Sequence, residues 1–235
     1  MKITLGKFTF SITIGETDPL ANVEQILLIR HGLSQGNTGE QDPLEIGDHN
    51  LDLSKDGRLQ AKALGEAIGT KFLEESLVYC SPYKRTRETA KRILSGAKTQ
   101  GIKLYEDPRL REVEHGYESV EAQEAKRKIH GWFYYRFDGG ESPADCFDRS
   151  SDALESILRQ VSRKKKKNIV IVTHGLTIRC ILARFLHLTV EQFESLANPG
   201  NCDIITIAPT HTLQKPKFTC GRWGVEGIKT RRREK

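Results

Sequence analysis

The chain has 235 residues, 37% of them hydrophobic, which suffices for one large α/β domain or two small ones and excludes a disordered chain. No apolar run approaches the roughly 20 residues of a membrane span, and Lys7 with alternating Thr and Ser breaks up the pattern of a secretory signal, so a cytoplasmic protein is expected. The formal net charge is +6, with basic runs at Arg163–Lys167 and Arg231–Arg233. Such runs are read as solvated ends, with an anionic partner for the tail as the alternative. No aromatic residues interleave with them, so nucleic acid is not expected as a partner. The five cysteines (Cys80, Cys146, Cys180, Cys202 and Cys220) are widely spaced and form no C-x-x-C pair. That spacing argues against a disulfide framework and a zinc site and points to reduced, mostly buried thiols.

In chain order, residues 1–22 form an N-terminal extension. Phe8, Phe10, Ile12 and Ile14 alternate with polar residues, the period of a strand, and an added edge strand is expected before Asp18-Pro19 breaks it. Gln25 to Ile29 is a short apolar run of the kind buried on both faces of a sheet. A loop rich in Gly, Asn and Asp follows over 32–52. Ser54 caps a helix over about 57–72, with Leu59, Ala63, Ala67 and Ile68 at helical spacing. Leu77 to Cys80 reads as a strand, 83–95 as a helix and Ile102 to Tyr105 as a third strand. The stretch 112–142 is irregular and holds Trp132, Phe133, Tyr134, Tyr135 and Phe137. Ser142-Pro143-Ala144-Asp145 starts a helix to about 162, with Ser142 as cap, Pro143 in the first turn and Asp145 closing a capping box. Asn168 to Thr173 is the clearest strand. Helices at 176–187 and 189–196 and a strand at 202–208 complete the pattern.

Strands alternating with helices imply an α/β fold: a mostly parallel central sheet with helices on both faces. The domain is placed at 23–210, with a small inserted cap at about 106–140 and a basic C-terminal tail at 211–235. In such sheets ligands bind beyond the carboxyl ends of the strands. Two apolar strands end alike there, in Arg30-His31-Gly32 and in Thr173-His174-Gly175. If those strands are neighbours, two histidines face one pocket.

Five segments in order now resemble one family. They are Arg30-His31-Gly32 with Asn37, Ser81-Pro82-Tyr83-Lys84-Arg85-Thr86, Leu110-Arg111-Glu112 with Gly116, Gly139-Gly140-Glu141-Ser142, and Thr173-His174-Gly175. Over about residues 25–208 the chain resembles the histidine phosphatase superfamily in its phosphoglycerate mutase-like, short-cap branch. The resemblance implies that His31 is a transiently phosphorylated nucleophile and Glu112 the proton donor. Arg30, Asn37, Arg85 and His174 would bind the substrate phosphate. It selects Arg85 over Arg87 and Glu112 over Glu114. Phosphoryl transfer spreads negative charge over the equatorial oxygens, and fixed donors must meet it. The arginine forks can do so, as can a protonated His174. His31 must attack through a neutral ring nitrogen, so its other nitrogen should donate to a backbone carbonyl. No metal and no cofactor are expected.

The resemblance also implies a phosphomonoesterase acting on a small phosphorylated metabolite. A phosphomutase and a non-catalytic phospho-ligand binder are the alternatives. Leu33 and Leu176 stand where mutase-like members carry polar residues, and only 61 residues separate Glu112 from His174 where mutases carry a longer cap. The aromatic cluster at 132–137, with Arg127, Lys128 and Arg136 nearby, either packs the cap on the sheet or holds a ring-bearing substrate with a second anion.

Overall fold

A computed structural model describes residues 2–5, 8–11 and 20–231. Lys2–Leu5 (β1) and Phe8–Ser11 (β2) pair antiparallel as a two-stranded sheet of their own. The expected edge strand therefore does not join the central sheet. Ile12, Ile14 and Asp18-Pro19 lie outside the described residues.

The central sheet has seven strands: Gln25–Arg30 (β3), Ser76–Cys80 (β4), Leu104–Glu106 (β5), Asn168–Thr173 (β6), Ile204–Pro209 (β7), Thr219–Cys220 (β8) and Trp223–Glu226 (β9). Their order is β5-β4-β6-β3-β7-β9-β8. The first four run parallel, and each of the other three is antiparallel to its neighbour. Thus residues 211–231, read from the sequence as a tail, supply a hairpin to the sheet. Trp223 is buried there against Phe185, with ring centroids 5.6 Å apart.

Successive strand residues point to opposite faces, and both faces of β3 and β6 are covered. Ile26, Leu28, Ile169 and Ile171 share one core with Ala153, Ile157 and Val161 of Pro143–Lys164, and with Ile178, Ile181 and Leu182 of Gly175–Phe185. Leu27, Ile29, Val170 and Val172 share the other with Ala61 of Lys55–Ile68, Leu73 of Thr70–Glu74, and Ala90 and Ile93 of Lys84–Gly96. The helices in chain order are Gln35–Thr38 (α1), Pro43–Ile46 (α2), Lys55–Ile68 (α3), Thr70–Glu74 (α4), Lys84–Gly96 (α5), Glu124–His130 (α6), Pro143–Lys164 (α7), Gly175–Phe185 (α8) and Val190–Ser195 (α9). None of the helices in the described residues is long and apolar enough to cross a membrane.

The capping signals act as the sequence suggests. Ser54 accepts from the Gly57 amide, and Ser142 and Asp145 form a reciprocal box at α7. Arg163 and Lys164 lie in the last turn of α7, where cations meet the helix dipole. Lys167 pairs with Glu24 at 3.2 Å.

Helix α3 turns a different face inward from the one its apolar residues mark. Leu59 is 59% exposed, and Ala63 and Ala67 are exposed. The buried residues are Gly57, Ala61 and Gly65. The cause is close helix approach. A Cβ at Gly65 would collide with the Ile93 carbonyl of α5, and one at Gly96 with the Lys62 carbonyl of α3. Backbone fills the space that side chains fill elsewhere.

A Gly65→Ala substitution tests this. Alanine is the better helix former by about 1 kcal/mol, yet overpacking against backbone costs about 1–3 kcal/mol. A net lowering of the urea midpoint is expected, and a raised midpoint would show that α3 and α5 can separate freely.

Candidate active site

Parallel pairing sets Ile29 beside Val172 and Arg30 beside Thr173. His31 and His174 therefore leave adjacent strands together. Their rings lie 5.3 Å apart, edge to face, and both are buried. The ladder continues past the strand ends, with the His31 amide donating to the Thr173 carbonyl (3.0 Å) and the Ser81 amide to that of Val172 (3.0 Å). A Cβ at Gly57 would collide with the Leu33 carbonyl, so this glycine lets the loop after His31 seat on the start of α3.

The His31 Nδ1 lies 2.8 Å from the Gly32 carbonyl oxygen. A carbonyl only accepts, so Nδ1 carries the proton and Nε2 keeps its lone pair. Burial, helped by the charge of Arg85, holds the His31 imidazole well below its ordinary value of 6.5, so it is neutral near pH 7. His174 is fixed differently. Its Nδ1 lies 3.1 Å from Arg85 Nη2 and its Nε2 2.9 Å from Ser81 Oγ. Guanidinium can only donate, so Nδ1 accepts and Nε2–H donates to Ser81. Burial, then the charges of Arg85 and His31, also push His174 well below 6.5. In the ligand-free protein His174 is thus neutral, whereas the sequence argument used a protonated one.

Arg85, from the first turn of α5, is 4% exposed. Besides His174 it meets Asp48, with Nη1 donating to the carbonyl (2.5 Å) and Nη2 to the carboxylate (2.9 Å). Arg30 donates from Nη1 to the Pro199 carbonyl (2.6 Å), while its buried Nε has no acceptor among the described residues. Burial lowers the Arg30 pKa, and the charge of Glu112 partly restores it, which places Glu112 within electrostatic reach of Arg30. Asn37 closes the capping box of α1 with Ser34, and its Oδ1 also accepts from Asn201 Nδ2 (3.1 Å).

Glu112 lies against the start of α8. Its Oε1 accepts from the amides of Val113 (3.0 Å) and Thr177 (3.2 Å), and Oε2 from that of Leu176 (3.3 Å). The Thr177 hydroxyl is 3.1 Å from Oε1. A hydroxyl can donate to a carboxylate and accept from a carboxyl, so Thr177 suits either protonation state of Glu112.

Two contributors escaped the sequence reading. Asn201 Nδ2 also donates to the His31 carbonyl (3.1 Å), tying β7's approach to the histidine loop. Arg149 of α7 donates from Nη1 to the carbonyls of Arg109 (2.7 Å) and Arg111 (2.8 Å), and from Nη2 to that of Glu112 (3.1 Å). Its remaining donors meet Glu141, which also pairs with Arg111. Glu141 is thus the loop anchor that holds Arg149. The spacing of Arg149 from Glu141 along a capped helix was visible, but nothing local says that its fork faces three carbonyls.

A cavity of about 590 Å³ adjoins the site, with Asp48 and Tyr83 belonging to both. Tyr83 packs edge-on to His174 at 5.1 Å. The cap cations anticipated for a second substrate anion do not line this cavity. Arg136 pairs with Asp145 (2.5 Å), Lys128 with Glu124 (3.8 Å), and Arg127 lies over Trp132 (3.9 Å). Among the described residues no group of three or more His, Cys, Asp or Glu side chains converges in a metal-binding arrangement.

Comparison with known proteins agrees with this geometry. The sequence profile of the Histidine phosphatase superfamily (branch 1) matches residues 26–220, and the chain belongs to that superfamily. It is 37% identical over 200 residues to phosphoglycerate mutase-like protein AT74 of Arabidopsis thaliana, a match covering 77% of this chain and 63% of that protein, so it spans less than two thirds of its relative. It is 24% identical over 300 residues to the broad-range acid phosphatase DET1 of Saccharomyces cerevisiae, covering 83% of this chain and 90% of the other. A solved mycobacterial glucosyl-3-phosphoglycerate phosphatase in complex with VO3 superposes with a TM-score of 0.68 at 23% identity, covering 87% of this chain and 98% of the other, which shows a shared fold.

Two outcomes follow. Both histidines have folded values below 6.5, whereas the unfolded chain titrates near about 6.5. Their contribution to stability is complete above 6.5 and is lost as pH falls below it, because the unfolded state takes up protons first, at about 1.4 kcal/mol per pH unit for each histidine. Denaturant unfolding from pH 7.5 to 5.5 should show this slope, and His174→Gln should be shallower by about one proton. An unchanged slope would mean that His174 is not held neutral. Arg149→Ala should lower stability by about 3–5 kcal/mol, as expected when one partner of a buried ion pair is removed. Arg149→Lys should recover little of it, since an ammonium cannot fork to three carbonyls.

Proposed function

We propose that the protein is a metal-independent phosphomonoesterase that hydrolyses a small phosphorylated metabolite through a phosphohistidine on His31. The observation that carries this reading is the tautomer of His31. Its Nδ1 proton is held by the Gly32 carbonyl, and burial keeps the ring neutral, so Nε2 presents a lone pair among Arg30, Arg85 and His174. The orphaned Nε of Arg30 supports it, since a buried donor without an acceptor suits an arriving phosphate oxygen.

In the first half, His31 Nε2 attacks phosphorus and the P–O bond to the leaving alcohol breaks. Glu112 gives its proton to the departing alkoxide. In the second half, Glu112 takes a proton from water and the resulting hydroxide attacks phosphorus. The N–P bond breaks, releasing inorganic phosphate and neutral His31. Arg30 and Arg85 hold the equatorial oxygens throughout, with Asn37 as a neutral donor at the rim. The superfamily and the acid phosphatases among the relatives support hydrolysis as the outcome.

The test is phosphate release from a panel of sugar phosphates, nucleotides, phosphoglycerates and a phosphopeptide, with wild type beside His31→Ala. Wild-type release should fall by about 10⁴-fold or more in the variant, the loss typical of removing a nucleophile. Equal rates in both proteins would remove His31 as nucleophile and sink the mechanism. Glu112→Gln should slow esters with poor leaving groups more than p-nitrophenyl phosphate, whose leaving group needs no proton.

A further inference from the structure

The 590 Å³ cavity is the space open to the part of the substrate beyond its phosphate, and its walls carry charge of one sign. Asp42, Asp48, Glu114, Glu118 and Glu121 line it, and no Lys or Arg is among the lining residues described. The cap cations are engaged elsewhere, Lys126 with Asp138 (2.6 Å) as well as the pairs above. A carboxylate or second phosphate entering here meets repulsion and no donor fork.

Asp48 links this wall to the chemistry. Its carboxylate and carbonyl both occupy Arg85, the donor that the phosphate would use. The side chain is 40% exposed, so it can turn away from Arg85 without unfolding anything. Phosphate arriving at Arg85 displaces Asp48, and the freed carboxylate then stands unpaired among four others. A second anion on the substrate worsens that imbalance. A cation on the leaving group offsets it, and the Tyr83 and Tyr117 rings on the same cavity offer π faces to an ammonium.

We propose that the preferred substrates are phosphomonoesters whose alcohol bears an ammonium group and no second anion, with Asp48 as the residue that sets this specificity. This rests on the phosphatase reading above and narrows it.

The experiment uses three esters of similar size: O-phosphoethanolamine, ethyl phosphate and 2-phosphoglycolate. Wild-type kcat/KM should fall in that order, by about tenfold or more from first to last. The spread should shrink at high salt, because the cavity is open to solvent. Asp48→Asn should compress the spread to about threefold, chiefly by lowering KM for 2-phosphoglycolate. A wild-type preference for 2-phosphoglycolate, or a spread unchanged by Asp48→Asn, overturns the proposal. If none of the three esters is hydrolysed, the hydrolase reading fails separately, and titration calorimetry with the same esters decides the specificity. Tighter binding of O-phosphoethanolamine than of 2-phosphoglycolate, reduced in Asp48→Asn, supports it. The reverse order, or the same ratio in both proteins, overturns it.

Discussion

The parallel register of β3 on β6 is the constraint on which the site depends. Both strands are buried on both faces, so a slip of one residue would exchange Ile26 and Leu28 with Leu27 and Ile29 between two different cores. The register is therefore fixed by packing on each side of the sheet, well before any catalytic group is considered. With Arg30 level with Thr173, the next residue on each strand is a histidine, and the two rings meet at 5.3 Å. The same ladder carries Ser81 to His174, because the Ser81 amide continues the β4–β6 pairing. Nonpolar strands thus position polar chemistry that they do not themselves contact.

That position has an electrostatic consequence. Two imidazoles are buried beside Arg30 and Arg85, and burial in that company disfavours a further positive charge on either ring. The neutral His31 is what a nucleophile requires, and it follows from the environment rather than from any special partner. The anions that balance the arginines come from outside the sheet. Glu112 arrives on the segment before α6, held by the amides at the start of α8 and by the Arg149 clamp behind it. Asp48 arrives on the short turn after α2 and sits on Arg85. Catalytic cations are placed by strands and by α5, and their counter-charges by loops, the parts able to move.

Much of this was legible in the sequence, for physical reasons that also explain the gaps. Continuous apolar runs ending in His-Gly located β3 and β6, because strands buried on both faces have no polar alternation to hide them. Ser54 and Ser142 located helix starts because capping is a local interaction. The inward face of α3 was misjudged because Leu59 and Ala63 follow helical spacing, while the true contact is made by Gly57 and Gly65, which have no side chain for a hydropathy pattern to register. The hairpin at 219–226 was missed beneath a basic composition, since one strand has two residues and the other is anchored by Trp223 and Val225 alone. Arg149 and Asn201 act on backbone carbonyls, and such partners leave no complementary residue type in the sequence.

The ligand-free bonding pattern also orders what must happen when phosphate arrives. Asp48, Arg85, His174 and Ser81 form one chain of hydrogen bonds in which each donor is assigned: Arg85 gives to Asp48 and to His174 Nδ1, and His174 Nε2–H gives to Ser81. An anion that takes Arg85 from Asp48 can also draw the guanidinium from Nδ1, leaving that nitrogen with a lone pair facing a negative oxygen. Two acceptors facing each other repel, and the repulsion is relieved only if His174 gains a proton on Nδ1. The dianion supplies the field that burial withholds in the empty site, favouring the imidazolium there. His174 can then donate to phosphate while Ser81 keeps its bond from Nε2. Release of Asp48 and protonation of His174 are on this account one event, and the site carries its full positive charge only while an anion is present to hold it.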